Sequence, residues 1–186
     1  MRKSREETAE TRKRILNVAA REFRQNGMET GLAEVMAAAG LTQGGFYKHF
    51  GSKAELVCEA LELALDAEFK ALEKVAESGS KGIASIASAY LSERHRDDVG
   101  KSCPFSALGS ELARADKGTR AAATAGLKRM IDIVADRSDA RRDVARKRAT
   151  VAVATLIGAI TMARISDDPE LSSQILKLAE RHVTEL

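Results

Sequence analysis

The sequence predicts an all-α fold, and three observations carry that prediction. Ala, Leu, Glu, Lys and Arg dominate, while aromatic residues make up 4% and Pro only 2 residues. That is the composition of strong helix formers. No segment shows the sustained period-two alternation of a strand, whereas apolar residues recur at three- and four-residue spacing along most of the chain. At 186 residues the chain can bury a sizeable core. Gly, Pro and capping residues divide it into about nine helices. These are expected to form a three-helix unit over residues 1–52 and a helical body over residues 53–186.

The first helix begins between Ser4 and Thr8 and stops at Gly27, with Ile15, Ala19 and Phe23 on its inner face. Its other face carries Arg12, Lys13, Arg14, Arg21 and Arg24, and the N-terminal end of that face is a candidate phosphate clamp. A second helix covers about Leu32–Ala39, with Leu32, Val35 and Met36 inward and Gly40 at its end. Thr42 is placed to cap a very short third helix, and Gly51 to lie past its end. Ser52 and Glu55 form a capping box for a long fourth helix. That helix runs to about Glu77 with two apolar faces, Leu56–Ala60–Leu63–Ala67 and Leu61–Leu65–Phe69–Leu72. Ser78 to Gly82 then reads as a flexible joint.

In the body, Ile83, Ile86, Ala87 and Tyr90 mark the inner face of the next helix, and the polar stretch Glu93–Lys101 reads as a loop or a frayed end. Cys103-Pro104-Phe105 opens another helix, with proline in its first turn. A helix over about Thr119–Ala135 turns Leu127, Met130, Ile131 and Val134 inward. The last two helices run from about Ala140 to Ile165 and from Asp168-Pro169-Glu170 onward. The first of them becomes apolar all round, which calls for burial on several sides.

The densest information lies in Gly40-Leu41-Thr42-Gln43-Gly44-Gly45-Phe46-Tyr47-Lys48-His49-Phe50-Gly51-Ser52-Lys53. Each internal glycine costs a helix about 1 kcal/mol relative to alanine. Two of them beside Tyr47, Lys48 and His49 let backbone come close to a large partner and place phosphate-reaching side chains next to it. Phe46 and Phe50, four apart, belong to the core. The stretch resembles the N-terminal helix-turn-helix of the TetR family of bacterial transcriptional regulators, through Gly40, Leu41, Thr42, Phe46, Tyr47, His49, Phe50, Ser52 and Lys53. The match is dense from about Thr11 to Leu56. Gly31 departs from the pattern, which has a capping Ser or Thr there, so no contact to DNA is carried over to the second helix. Residues 101–122 resemble a branch of that family that responds to electrophiles or oxidants, through Lys101-Ser102-Cys103-Pro104, Leu108, Ser110-Glu111-Leu112 and Arg120-Ala121. The Gly158-Ala159, Ala163-Arg164, Asp168-Pro169 and Leu171-Ser172 pattern recurs in the same branch.

Charge agrees with a nucleic-acid partner. Residues 1–53 hold ten Lys or Arg against six Asp or Glu, while the whole chain carries only +3. The DNA-facing set is therefore Thr42, Gln43, Gly44, Gly45, Tyr47, Lys48, His49 and Lys53. Gln43 reads a base and Tyr47, one turn on, shares its face. Lys48, His49 and Lys53 hold phosphates of double-stranded DNA at a pseudo-palindromic operator. The effector set is Cys103, Tyr90, Phe105, Leu108, Met130 and Val134, for a small-molecule or electrophile effector. Cys103 sits at a helix start near Lys101, where a thiolate is favoured. Val151, Thr155, Gly158, Met162, Leu171, Ile175 and Leu178 are the candidate homodimer face, the arrangement common in the family.

A charged N-terminus without an apolar leader, a charge-free run of only Ala149–Ala163 and two cysteines point to a cytoplasmic protein with no membrane span. Scattered His49, His95 and His182 argue for no metal and no cofactor. The favoured reading is a ligand- or cysteine-responsive repressor rather than an enzyme. The alternatives are a helical protein-binding adaptor and a thiol enzyme using Cys103 with His95 as base.

Overall fold

The computed structural model describes residues 5–78 and 82–186. Its elements are α1 (Arg5–Asn26), α2 (Leu32–Ala38), a 3-10 helix (Gln43–Lys48), α3 (Lys53–Ser78), α4 (Ile83–Tyr90) and α5 (Glu93–Asp97). A second 3-10 helix (Val99–Lys101), α6 (Pro104–Leu112), α7 (Lys117–Ala135), α8 (Arg142–Ile165) and α9 (Pro169–Glu185) follow. The joint proposed around Gly79, Ser80 and Lys81 lies outside the described residues.

The N-terminal unit closes on a small aromatic core. Ile15, Ala19 and Phe23 of α1 meet Val35 and Met36 of α2, and Phe46 and Phe50 complete the cluster. Gly27 (φ 90°) and Gly40 (φ 69°) end α1 and α2 in the left-handed region that only glycine enters cheaply. Gly31 supplies no cap, and the Glu34 carboxylate instead accepts the Gly31 N–H at 3.4 Å.

At the start of α3 the Ser52 hydroxyl accepts the Glu55 N–H at 3.1 Å, as expected of a cap. The Glu55 carboxylate accepts the N–H of Gly51 rather than that of Ser52, at 2.7 Å. The long α3 then changes partners, from α1 in its first half to α7 and α4 in its second. Its buried stripe drifts round the helix accordingly. Leu61, Leu65, Phe69 and Leu72 are buried, whereas Leu63 and Ala67, predicted inward with Leu56 and Ala60, are exposed. Close approach of α7 to α3 depends on Gly126, where an added Cβ would lie 2.6 Å from Leu65 Cδ1.

Glu93–Lys101 is a short helix followed by a 3-10 turn rather than a loop. Ser92 caps α5 by accepting the His95 N–H at 3.2 Å. Pro104 opens α6 with Cys103 at its N-cap, and Phe105, Leu108 and Leu112 form the buried stripe. Asp116 caps α7 through the N–H groups of Gly118 and Thr119 at 2.8 and 3.1 Å. Of the four residues predicted inside α7, Met130 and Val134 are buried, Ile131 is half-buried and Leu127 is exposed. Leu127 lines a surface groove between α6 and α7 instead.

The pairing of α8 with α9 closes the body, and Asp168 caps α9 by accepting the Glu170 N–H at 2.8 Å. On length and composition α8 could cross a membrane, so the short charge-free run understated it. Its Ala152, Leu156, Ala159, Ile160 and Ala163 are buried against the rest of the body. One hydrophobic cluster runs from Ile15 to Val183 through both halves of the chain.

Candidate DNA interface and effector cleft

The turn Leu41-Thr42 presents the 3-10 helix on an outer edge of the N-terminal unit. Thr42 holds the N-cap position with extended backbone, but its side chain makes no capping hydrogen bond, contrary to expectation. With three residues per turn, Tyr47 eclipses Gly44 rather than Gln43. The shared face expected for Gln43 and Tyr47 assumed α-helical spacing, which the 3-10 helix does not have. Thr42, Gln43, Gly44, Tyr47 and Lys48 are all exposed, with Tyr47 at 71%. Gly45, His49 and Lys53 are half-buried beside them. An added Cβ at Gly44 meets nothing within 4 Å, and one at Gly45 makes only an ordinary 3.8 Å contact to Met36. The fold therefore needs neither glycine.

Behind this edge the aromatic residues fix the helix. Phe46 stacks on Phe50 at 5.6 Å and meets the Tyr47 ring edge-on at 5.1 Å. Arg12 lies over the Phe50 ring at 4.5 Å, donates to the His49 carbonyl at 3.2 Å and pairs with Glu59 at 2.6 Å. It is a strut between α1 and α3, and the phosphate-clamp expectation fails at this residue. Arg24 is likewise committed, donating to the Gly100 carbonyl at 2.9 Å. Lys13 and Arg14 remain exposed on the same helix.

In the body a cleft of about 370 Å³ opens between α3, α4 and α5. Ala71, Leu72, Val75 and Ala89 wall it, with Glu68, Tyr90 and His95 inside and Arg94, Asp98 and Lys101 among its polar lining. Burial pushes the Glu68 carboxyl up to about 7, against a counteracting pull from Arg24. Tyr90 is 2% exposed, and its buried hydroxyl lies beside Cys103 and Ser106. Of the predicted effector set, only Tyr90 lines this cleft. Phe105 faces the groove between α6 and α7, and Leu108 borders a void too small for a ligand. Met130 and Val134 are interior packing, because α7 turns them toward the core rather than toward the cleft. Glu68 was missed, although an acid between Leu65 and Leu72 on one helical face was a visible signal.

Cys103 sits at the start of α6 as predicted, but it is 0% exposed, and burial pushes its thiol up to about 12. Desolvation outweighs the helix dipole here. Lys101, expected to support a thiolate, pairs with Asp98 at 3.1 Å. His95 Nε2 accepts the Cys103 backbone N–H at 2.8 Å, and its Nδ1 lies 2.5 Å from the Tyr90 carbonyl. Those bonds require the neutral Nδ1–H tautomer, and burial lowers the His95 pKa in the same sense. Both ring nitrogens are engaged by backbone, so the ring is not placed to deprotonate the thiol.

On the outside of the body α8 exposes one apolar stripe. Val151, Thr155, Gly158 and Met162 recur at four, three and four residues, and Ile165 continues the line at 77% exposure. Leu171, Ile175 and Leu178 repeat that spacing on α9, and Leu171 and Leu178 are exposed. Among the described residues outside its own stretch of helix, none comes within 4 Å of a Cβ added at Gly158.

A short helix carrying exposed Gln43, Tyr47 and Lys48 on an aromatic base, behind a glycine-stopped α2, has the layout of a helix-turn-helix. The chain belongs to the TetR family of bacterial transcriptional regulators. Residues 15–60 match the model of the tetR family of bacterial regulatory proteins, and residues 80–181 match that of the LmrA/YxaF-like regulator C-terminal domain. The HTH-type regulator AcrR of Shigella flexneri is 47% identical over 64 residues, covering 34% of this chain and 30% of AcrR. The chain thus matches less than a third of the length of that relative. An uncharacterised HTH-type regulator of Mycobacterium tuberculosis is 29% identical over 167 residues, 84% of this chain and 86% of that protein. Among solved structures, reduced Escherichia coli NemR superposes with a TM-score of 0.79 at 23% identity, covering 95% of this chain and 96% of NemR. A Chloroflexus aurantiacus TetR regulator gives 0.78 at 24% identity, covering 97% and 95%. At those identities the likeness is one of fold.

Proposed function

We propose that this regulator is a homodimeric repressor that two reading heads hold on a pseudo-palindromic operator and that a small effector releases. Residues 1–52 form the DNA-binding unit, and residues 53–186 bind the effector and dimerise. Gln43 contacts a base, Tyr47 a thymine methyl or a phosphate, and Thr42, Lys48, His49 and Lys53 the backbone. Gly44 and Gly45 let the main chain approach the duplex. The observation that carries this is the glycine pair, Gly44 exposed and Gly45 half-buried, that the chain's own packing does not require. The exposed stripes of α8 and α9 become the dimer interface, with Gly158 permitting close helix contact. The effector enters the cleft at Tyr90, and the protein works in the cytoplasm.

Hydroxyl-radical footprinting on DNA flanking the protein's own gene tests this reading. Two protected stretches about one helical turn apart, 34–36 Å, are expected for a dimer. Tyr47→Ala with Lys53→Ala removes both, while sedimentation still reports a dimer. Loss of the dimer in that variant would overturn the division of labour.

A further inference from the structure

We infer that the cleft between α3, α4 and α5 is built for a small apolar amine whose ammonium group seats on the Glu68 carboxylate. This rests on the effector reading above and names its ligand class.

The Glu68 carboxyl feels the attraction of Arg24, but that attraction does not offset its burial. Glu68 lies on the arc of α3 that Leu61, Leu65 and Leu72 bury, and among the described residues no ion pair or hydrogen bond reaches it. Of the cations nearby, Arg24, Lys101 and Arg164 bond elsewhere. Arg24 of α1 donates to the Gly100 carbonyl, and Lys101 pairs with Asp98. Arg164 of α8 donates to the carbonyls of His95 and Arg96, both at 2.8 Å. His95 is held neutral by its burial and by accepting the Cys103 N–H at Nε2. Arg94 is exposed on α5, and the Cys103 thiol of α6 stays protonated well above neutrality.

Tyr90 closes one side of the same cleft, with its hydroxyl buried beside the Cys103 thiol and the Ser106 hydroxyl of α6. A ligand ammonium has three donors, so it can engage both oxygens of Glu68. The aliphatic side chains of Ala71, Leu72, Val75 and Ala89 take the apolar part, in a volume within the range of small-molecule sites.

Binding is then linked to a proton. Below pH 7 the Glu68 carboxyl holds its proton and releases it to solvent when the ammonium docks. Affinity therefore falls about tenfold per pH unit below 7 and is flat just above it. A neutral ligand of the same shape gains nothing from ionised Glu68 and shows no such slope.

The test uses dansylcadaverine, a fluorescent primary amine, and its N-acetyl derivative, titrated into the full chain from pH 5.5 to 8.5. Wild type is expected to bind the amine about tenfold more tightly at pH 7 than at pH 6, and to bind the acetylated probe weakly at every pH. Glu68→Gln is expected to lose both the slope and the preference for the amine. Equal affinity for both probes in wild type at pH 8 would overturn the proposal without recourse to any variant, as would unchanged amine binding in Glu68→Gln. Operator binding is followed in the same samples. Amine capture that leaves DNA bound would sustain the ligand class and remove the effector reading, whereas intact DNA binding with no amine capture would remove the ligand class alone.

Discussion

Glu68 concentrates the physical argument at the scale of a single residue. Its carboxyl holds a proton up to about pH 7 in the folded chain, because burial opposes the charge more than Arg24 favours it. In the unfolded chain the proton leaves near the ordinary 4.5. The native state binds the proton more tightly, so stability is full below about pH 4.5 and declines as pH rises to 7. Glu68→Gln removes that decline. Its melting temperature should match wild type near pH 4.5 and exceed it at pH 8, by an amount corresponding to roughly 3 kcal/mol at most. A gap that does not widen with pH would refute the burial of this group. Cys103 teaches the same lesson. Its place at a helix start was legible from Pro104, but its burial was not, because periodicity along α6 says nothing about Tyr90 and His95 arriving from α4 and α5. Native Cys103 should resist iodoacetamide while half-buried Cys58 reacts first, as peptide mapping of the alkylated protein would record. Rapid labelling of Cys103 in the folded protein would revive a thiol switch.

Among the elements, α3 and α8 show what a helical pattern conveys and what it omits. Helix positions in α3 came from its apolar spacing and the Ser52 cap. The drift of its buried stripe did not, because that depends on an exchange of partner from α1 to α7 part-way along. Gly126 was silent in sequence for a similar reason: only the neighbouring Leu65 and Phe105 give it a role. Gly126→Ala drives a Cβ into Leu65 and should lower stability by about 1–3 kcal/mol in urea unfolding. An unchanged midpoint would mean α7 stands further off. The element Gln43–Lys48 was legible as a short helix but not as a 3-10 helix without a Thr42 side-chain cap, since Gly44-Gly45 weakens the α-helix without specifying its substitute. In α8 the stripe Val151–Met162 was readable directly, and the structure leaves it uncovered. Met162→Glu should leave the monomer's melting temperature nearly unchanged and dissociate the dimer in sedimentation. A dimer that survives would place the interface elsewhere.

The whole molecule joins its helix-turn-helix unit to the body through one continuous hydrophobic cluster and a few polar ties. Glu111 of α6 accepts the Met28 N–H in the turn between α1 and α2 at 2.5 Å, and Arg24 of α1 holds Gly100. Arg164 fastens α8 to the carbonyl end of α5. These ties end on α5, the second 3-10 helix and α6. Charge asymmetry along the chain foretold a nucleic-acid partner, but the ties bridge 76 and 83 residues of sequence and no local pattern announces them. The most direct test of a dimer that reads DNA is fluorescence anisotropy against duplex flanking the protein's own gene, between 50 and 200 mM salt. Two protomers per duplex, with affinity falling at least about a hundredfold over that range as phosphate counterions are released, is the predicted result. A single protomer per duplex, or an affinity indifferent to salt, would contradict the account.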